Sequence, residues 1–244
     1  MSRCRYALFF VLFWLSTLYG LETDYSTIAI NIDKNPIAPN NSVTILFNLT
    51  HEKGWYSYWK NPGDSGLKTK IDWQLPDGFS PEKMIWPPPQ KINYDSLINF
   101  GYKDNVSFTV PIFVSNRVEQ GSYSLKGTLK WLVCKDVCIP ESTEFNIPIT
   151  VSSKSIQTSD YTAIQNIKNS ATITRVKATL KTDPAHYLIV LDNTDFIDTE
   201  IKKLYFFPEQ QNLIKYNHSP SITHTNNKTV ISIPAHDTTA KMIS

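Results

Sequence analysis

Two cysteines four positions apart, in Cys134-Lys135-Asp136-Val137-Cys138, are the residues of this chain best suited to chemistry. Four residues of extended strand carry their Cα atoms about 13 Å apart, whereas a disulfide needs them within about 7 Å. Bridging therefore requires the chain to turn over Lys135 to Val137, which places the pair on a tight turn or hairpin tip. A ring this small gives a bridge only about 2 kcal/mol of loop-closure entropy, at the low end for a structural staple. Lys135 would stabilise a thiolate electrostatically, while Asp136 would oppose it or act as a local proton acceptor. Spacing alone leaves a redox pair and a structural bridge both open. A zinc or copper site is disfavoured, because the second thiol pair or closely spaced histidines that it uses are missing. His218 and His224 could assist copper, but isolated histidines in a polar loop read as solvated.

Other local patterns carry less. Gly63-Asp64-Ser65-Gly66 imitates the nucleophile context of chymotrypsin-like proteases. That chemistry also needs a histidine base and an orienting carboxylate before the serine, and only His51 precedes it, too close in sequence for that fold. A glycine-bracketed turn accounts for it. Trp55-Tyr56-Ser57-Tyr58-Trp59 on a strand puts both tryptophans on one face and both tyrosines on the other, with the tryptophan face expected in the core and a carbohydrate or peptide platform as its rival. Trp86-Pro87-Pro88-Pro89 reads as a stiff edge loop. Asn40, Asn48, Asn105, Asn217 and Asn227 lie in N-x-Ser/Thr sequons of an asparagine-rich chain. No phosphate loop or dinucleotide fingerprint is present, so no cofactor is expected.

The elements that must position the cysteines are strands. Thr27 to Ile32, Val43 to Leu49, Val106 to Val114, Tyr123 to Val133 and Phe145 to Val151 alternate apolar with polar residues. Turn chemistry such as Asn35-Pro36, Asn61-Pro62-Gly63, Pro76-Asp77-Gly78 and Gln120-Gly121 separates such runs. The pattern predicts an all-β, immunoglobulin-like antiparallel sandwich over residues 21–151. All eight glycines lie between Gly20 and Gly127. The composition then turns polar, and Tyr161, Ile164 and Ile167 recur every third position, predicting a helical connector over 152–171. Residues 172–244 resume the strand pattern at Thr172 to Thr182, Tyr187 to Leu191, Lys203 to Phe207 and Thr229 to Ile233. About 70 residues is small for a sandwich, so this second β-rich unit is expected to be incomplete or to depend on a neighbour.

Arg3 and Arg5, the short apolar stretch Tyr6 to Leu18 and the small residue Gly20 give residues 1–20 the form of a cleaved secretory signal peptide. Its removal takes Cys4 with it and leaves Cys134 and Cys138 as a pair in an oxidising compartment. Lys plus Arg is 24 against 22 Asp plus Glu in the full sequence. Without Arg3 and Arg5 the charges balance, so a phosphate-backbone ligand such as nucleic acid is not expected.

Three segments together resemble the amino-terminal region of the DsbD-family thiol:disulfide interchange proteins, most of all the ScsB-like branch linked to copper tolerance. They are Trp55 to Gly66, Asn99-Phe100-Gly101-Tyr102, and Trp131 to Glu141. The likeness is strong from Glu22 to Val151 and weaker beyond, where Tyr205-Phe206-Phe207-Pro208 matches best. It implies a periplasmic immunoglobulin-like domain that takes electrons from a membrane thiol transporter or thioredoxin-like relay and hands them to oxidised periplasmic proteins, cytochrome c biogenesis among its settings. It further implies that Cys134 and Cys138 are the redox pair, with Cys138 meeting the partner, and that Phe100, Gly101 and Tyr102 form a cap over them. Better-known members place more residues between their cysteines, and continue into membrane and thioredoxin-like domains that this sequence does not contain. An external electron donor is therefore expected. The alternatives are a secreted binding module with a purely structural disulfide, or a copper-binding protein.

Overall fold

The structure, a computed structural model, describes residues 20–170, 178–182, 185–192, 205–225 and 228–236. The expected signal peptide lies outside these, Gly20 excepted. In chain order come β1 (Leu21–Glu22), β2 (Ser26–Ile32), β3 (Asn41–His51), β4 (Tyr56–Gly63), β5 (Lys70–Gln74) and β6 (Phe79–Pro81). After them run β7 (Gln90–Tyr94), β8 (Leu97–Lys103), β9 (Asn105–Val114), β10 (Gly121–Cys134) and β11 (Cys138–Val151). Helix α1 (Tyr161–Ser170) follows, then β12 (Ala178–Thr182), β13 (His186–Asp192), β14 (Ser221–Thr225) and β15 (Lys228–Pro234).

Two antiparallel sheets face each other in the manner of an immunoglobulin-like sandwich. One has the order β1-β2-β3-β9-β6; the other has β11-β10-β4-β8-β7, with β5 also paired to β10. Alternation fixes their inner faces, because a strand's neighbouring side chains point opposite ways. On β10, Leu125, Leu129, Trp131 and Val133 are buried in the common core, while Lys126 and Lys130 face outward. The rings of Phe47 on β3 and Phe108 on β9 stack at 5.3 Å, and Phe145 from the opposing sheet meets Phe47 edge-on at 5.3 Å. Each such fully buried side chain contributes about 1.5–3 kcal/mol of hydrophobic stabilisation, so these layers hold the two sheets together.

Helix α1 lays the wholly buried Ile164 on the sandwich. Its approach is fixed by Asn31, which donates to Asp160, and by Gln165, which donates to Asp33. Beyond it, β12-β13-β15-β14 form a third antiparallel sheet, so a second, smaller strand-rich unit follows the sandwich. Thr172 to Lys177 lie outside the described residues, as do Lys203 and Leu204. The strand expected to end at Phe207 is corrected, because Tyr205 to Pro208 run without ladder pairing. The apolar residues there are used differently: Phe207 packs on Trp59 and Phe100 of the first sandwich instead of joining a sheet.

Candidate redox site

Strands β10 and β11 form the longest hairpin, paired without interruption from Gly121 opposite Val151 up to Cys134 opposite Cys138. Lys135, Asp136 and Val137 make the turn, closed by a hydrogen bond from the Lys135 N–H to the Val137 carbonyl at 3.0 Å. The ladder thus delivers the two Cα atoms 4.1 Å apart, and their sulfurs are joined as a disulfide. Cys134, at the end of a strand that is buried on both faces there, is 1% exposed. Cys138 is exposed, as are all three turn residues, Val137 to 61%. The two sulfurs are therefore unlike: one is presented to solvent, the other is enclosed. Lys135 and Asp136 flank them on the exposed turn, Lys135 lying along Gly54.

Enclosure is the work of β4. Cys134 is in register with Tyr56, so Tyr56 and Tyr58 share its face, while Trp55 and Trp59 enter the main core as the alternation predicted. The Tyr58 hydroxyl donates to Cys134 Sγ at 3.1 Å, lies 3.7 Å from Cys138 Sγ, and is 3.4 Å from the Tyr56 hydroxyl. Burial, reinforced by Tyr56, holds the Tyr58 phenol well above its ordinary range, so it stays a protonated donor. Neither tyrosine was singled out as a site residue in the sequence. Their period-two placement beside the tryptophans was the available signal.

Phe100 and Tyr102 do not cover the disulfide, which corrects the cap expectation. On β8, Gly101 is opposite Tyr58 and so shares the cysteine face, whereas its two neighbours point into the sandwich. Phe100 meets Phe207 and Tyr216 edge-on at 5.0 and 4.9 Å; Tyr102 stacks on Trp86 at 5.8 Å and donates to the Pro87 carbonyl. A Cβ on Gly101 would lie 2.0 Å from the Ser57 carbonyl oxygen, so this glycine permits close strand approach. Cover on the outer side comes instead from the β7–β8 hairpin tip. Tyr94 is 40% exposed there, and its hydroxyl donates to the Asp136 carbonyl at 3.3 Å.

Gly63 to Gly66 form the other cover. Asp64 exchanges hydrogen bonds with Ile98, accepting at its carboxylate from the Ile98 N–H and donating its own N–H to the Ile98 carbonyl, and Ser65 donates both N–H and hydroxyl to Asn99. Ser65 is thus engaged with an amide, and His51 is committed elsewhere. A Cβ on Gly66 would lie 2.2 Å from the Tyr58 ring, so the loop is in direct contact with that ring.

Beneath the site runs a buried polar chain. The Ser26 hydroxyl donates to Glu141 at 2.6 Å, and Glu141 also accepts from the Trp131 indole and the Tyr25 N–H. His51 Nδ1 lies 3.3 Å from Ser26 Oγ and Nε2 2.8 Å from Ser57 Oγ. Since Ser26 gives its proton to Glu141, His51 donates from Nδ1 and accepts the Ser57 proton at Nε2. Burial lowers the His51 pKa to about 4 against a smaller opposing pull from Asp104, which keeps the ring neutral. Ser57 is 1% exposed, so this serine–histidine pair ties the two sheets together below the hairpin with its serine closed off from solvent. Of its members, the sequence pointed to Ser57, Trp131 and Glu141 only within longer segments, and to His51 only as a base misplaced for a protease.

His218 and His224 contact Asn217 and Thr229, away from the cysteines. Among the described residues no cluster of three His, Cys, Asp or Glu side chains could hold a metal, and no helix is long and apolar enough to cross a membrane.

Fold and site together define an immunoglobulin-like domain that presents a cystine at the end of its longest hairpin. Residues 30–149 match the family described as thiol:disulfide interchange protein DsbD, N-terminal, and this region is a domain of that family of thiol:disulfide exchange domains. Among solved structures it is similar to the N-terminal periplasmic domain of ScsB from Proteus mirabilis, with 19% identity, a TM-score of 0.57, and coverage of 88% of this chain and 82% of that one. A further likeness is to the reduced N-terminal domain of Neisseria meningitidis DsbD, at 15% identity and a TM-score of 0.31, covering 52% of this chain and 88% of that one. No curated protein matches the chain in sequence.

Proposed function

We propose that Cys134 and Cys138 are the catalytic dithiol of a periplasmic reductase component that receives electrons from a thioredoxin-like donor and passes them to oxidised proteins. The observation that carries this reading is the inequality of the two sulfurs, Cys138 open to a partner and Cys134 enclosed beside the Tyr58 hydroxyl. In the reduced domain the Cys138 thiolate attacks a sulfur of the client disulfide, forming a mixed disulfide and releasing one client thiolate. Cys134 then attacks Cys138 Sγ, which restores the internal disulfide and releases the second client thiolate. Two electrons pass to the client and the two thiolates take up protons. Tyr58 supplies a hydrogen bond to the Cys134 sulfur, and such bonds favour the thiolate that must attack. Lys135 brings a positive charge to the turn that joins the two cysteines, with Asp136 opposing it.

In this reading residues 1–20 direct export, 21–151 are the redox domain, 152–171 the connector and 172–244 a second β-rich unit. The purely structural disulfide is disfavoured by a ring too small to restrain much chain. Substituting Cys134→Ser leaves Cys138 able to attack but nothing to resolve the product, so the variant should accumulate an intermolecular disulfide with its client. Trapping by Cys138→Ser alone would reverse the roles.

A further inference from the structure

The second unit reaches the redox strands through one short segment. Buried Asn61, on β4 three residues beyond Tyr58, donates to the Pro208 carbonyl at 2.7 Å, to the Gln210 carbonyl at 3.2 Å and to the Tyr216 hydroxyl at 3.3 Å. Its side-chain amide oxygen accepts from the Gly63 N–H. The β4–β8 register shifts between Tyr58 and Gly63, which frees Asn61 from the ladder for this contact. Phe207 and Tyr216 enclose Phe100 on β8, and Glu209 binds both Lys60 and Lys83. On the opposite side of the same two strands, the loop from Gly63 to Gly66 is bonded to Ile98 and Asn99 and rests on the Tyr58 ring.

We infer that residues 207–216 are a positioning clamp: by fixing β4 at Asn61 and β8 at Phe100 they hold the Gly63–Gly66 loop against Tyr58, and so keep the Tyr58 hydroxyl on the Cys134 sulfur. The inference rests on the exchange role proposed above and gives the second unit a part in it. Tyr58 is the positioned residue; none of the clamp residues touches a sulfur. The ionisable groups around Cys134 are Tyr56 and Tyr58 on its own face, Lys135 and Asp136 on the turn, and Tyr94 across from Asp136. Only Tyr58 is reached by the clamp through direct neighbours.

The test uses the full chain in a Cys4→Ser, Cys138→Ser background, so that Cys134 is the thiol followed, and reads the pH midpoint of its alkylation beside the thermal midpoint. Losing the Tyr58 bond should raise the alkylation midpoint by about one pH unit, the order expected for one hydrogen bond to a charged group. Phe207→Ala should raise it in the same direction, and the double variant with Tyr58→Phe should rise no further than Tyr58→Phe alone. Tyr216→Phe, which removes only a hydroxyl, gives the same readout if Phe207→Ala fails to fold. An unchanged midpoint, or shifts that add in the double variant, would overturn the clamp. Clamp variants that keep both cysteines measure exchange itself: its retention with an unmoved alkylation midpoint refutes the clamp alone. Absence of exchange in the unaltered chain refutes the functional reading instead.

Discussion

A buried imidazole held neutral makes stability depend on acidity in a direction that can be worked out. His51 titrates near 4 in the folded domain against an ordinary value of 6.5, because burial disfavours its charged form. The unfolded chain therefore binds more protons between those values, and its contribution is fully present above about pH 6.5 and lost as pH falls toward 4. A shift of this size corresponds to about 3 kcal/mol. Chemical denaturation should show the domain losing about that much between pH 7 and 4, and His51→Gln, which keeps a donor and an acceptor, should flatten the profile. Equal slopes for the two proteins would show that His51 is not the acid-sensitive group. This network could not be read along the sequence, since Ser26, His51, Ser57 and Glu141 meet only once the sheets are stacked.

At the scale of elements, shielding of the disulfide belongs to the β7–β8 hairpin tip and not to the rings on β8. Tyr94→Ala removes the bond to Asp136 and should speed reduction of the oxidised domain by a bulky thiol, by at most about tenfold for one neutral hydrogen bond. Phe100→Ala should not speed that reduction and should lower stability, because its ring is buried against Phe207 and Tyr216 and not over the disulfide. Faster reduction with Phe100→Ala and none with Tyr94→Ala would reinstate the cap as first expected. Alternation along Phe100-Gly101-Tyr102 shows that the two rings share a face, but which face depends on Gly101 lying opposite Tyr58, a register set by a strand much earlier in the chain. By contrast the turn at Lys135 to Val137 was legible, since bond geometry alone demands it. The split of Trp55 and Trp59 from Tyr56 and Tyr58 was legible too, because it needs only a period of two. Strands β5 to β8 were missed: all are short, and β5, β6 and β8 are stabilised by pairing with strands distant in sequence.

For the whole molecule, the proposed chemistry sets a stoichiometry. The sequence has three cysteines, of which Cys4 precedes the described residues, so the described residues carry one dithiol, and the sequence has no motif for a nicotinamide or flavin. Protein reduced beforehand should pass about one electron pair per chain to an oxidised acceptor and stop, resuming only when a thioredoxin-like donor is added. Sustained turnover with a nicotinamide cofactor as sole reductant would reveal a centre not described above. The central claim is that this small, half-exposed bridge is a working redox couple, and its reduction potential decides that most directly. Equilibrated against glutathione or thioredoxin buffers and then trapped with a thiol reagent, the Cys134–Cys138 pair should show a potential above about −300 mV, within the span of cellular dithiol carriers. A potential well below that figure would make the bridge structural and contradict the account.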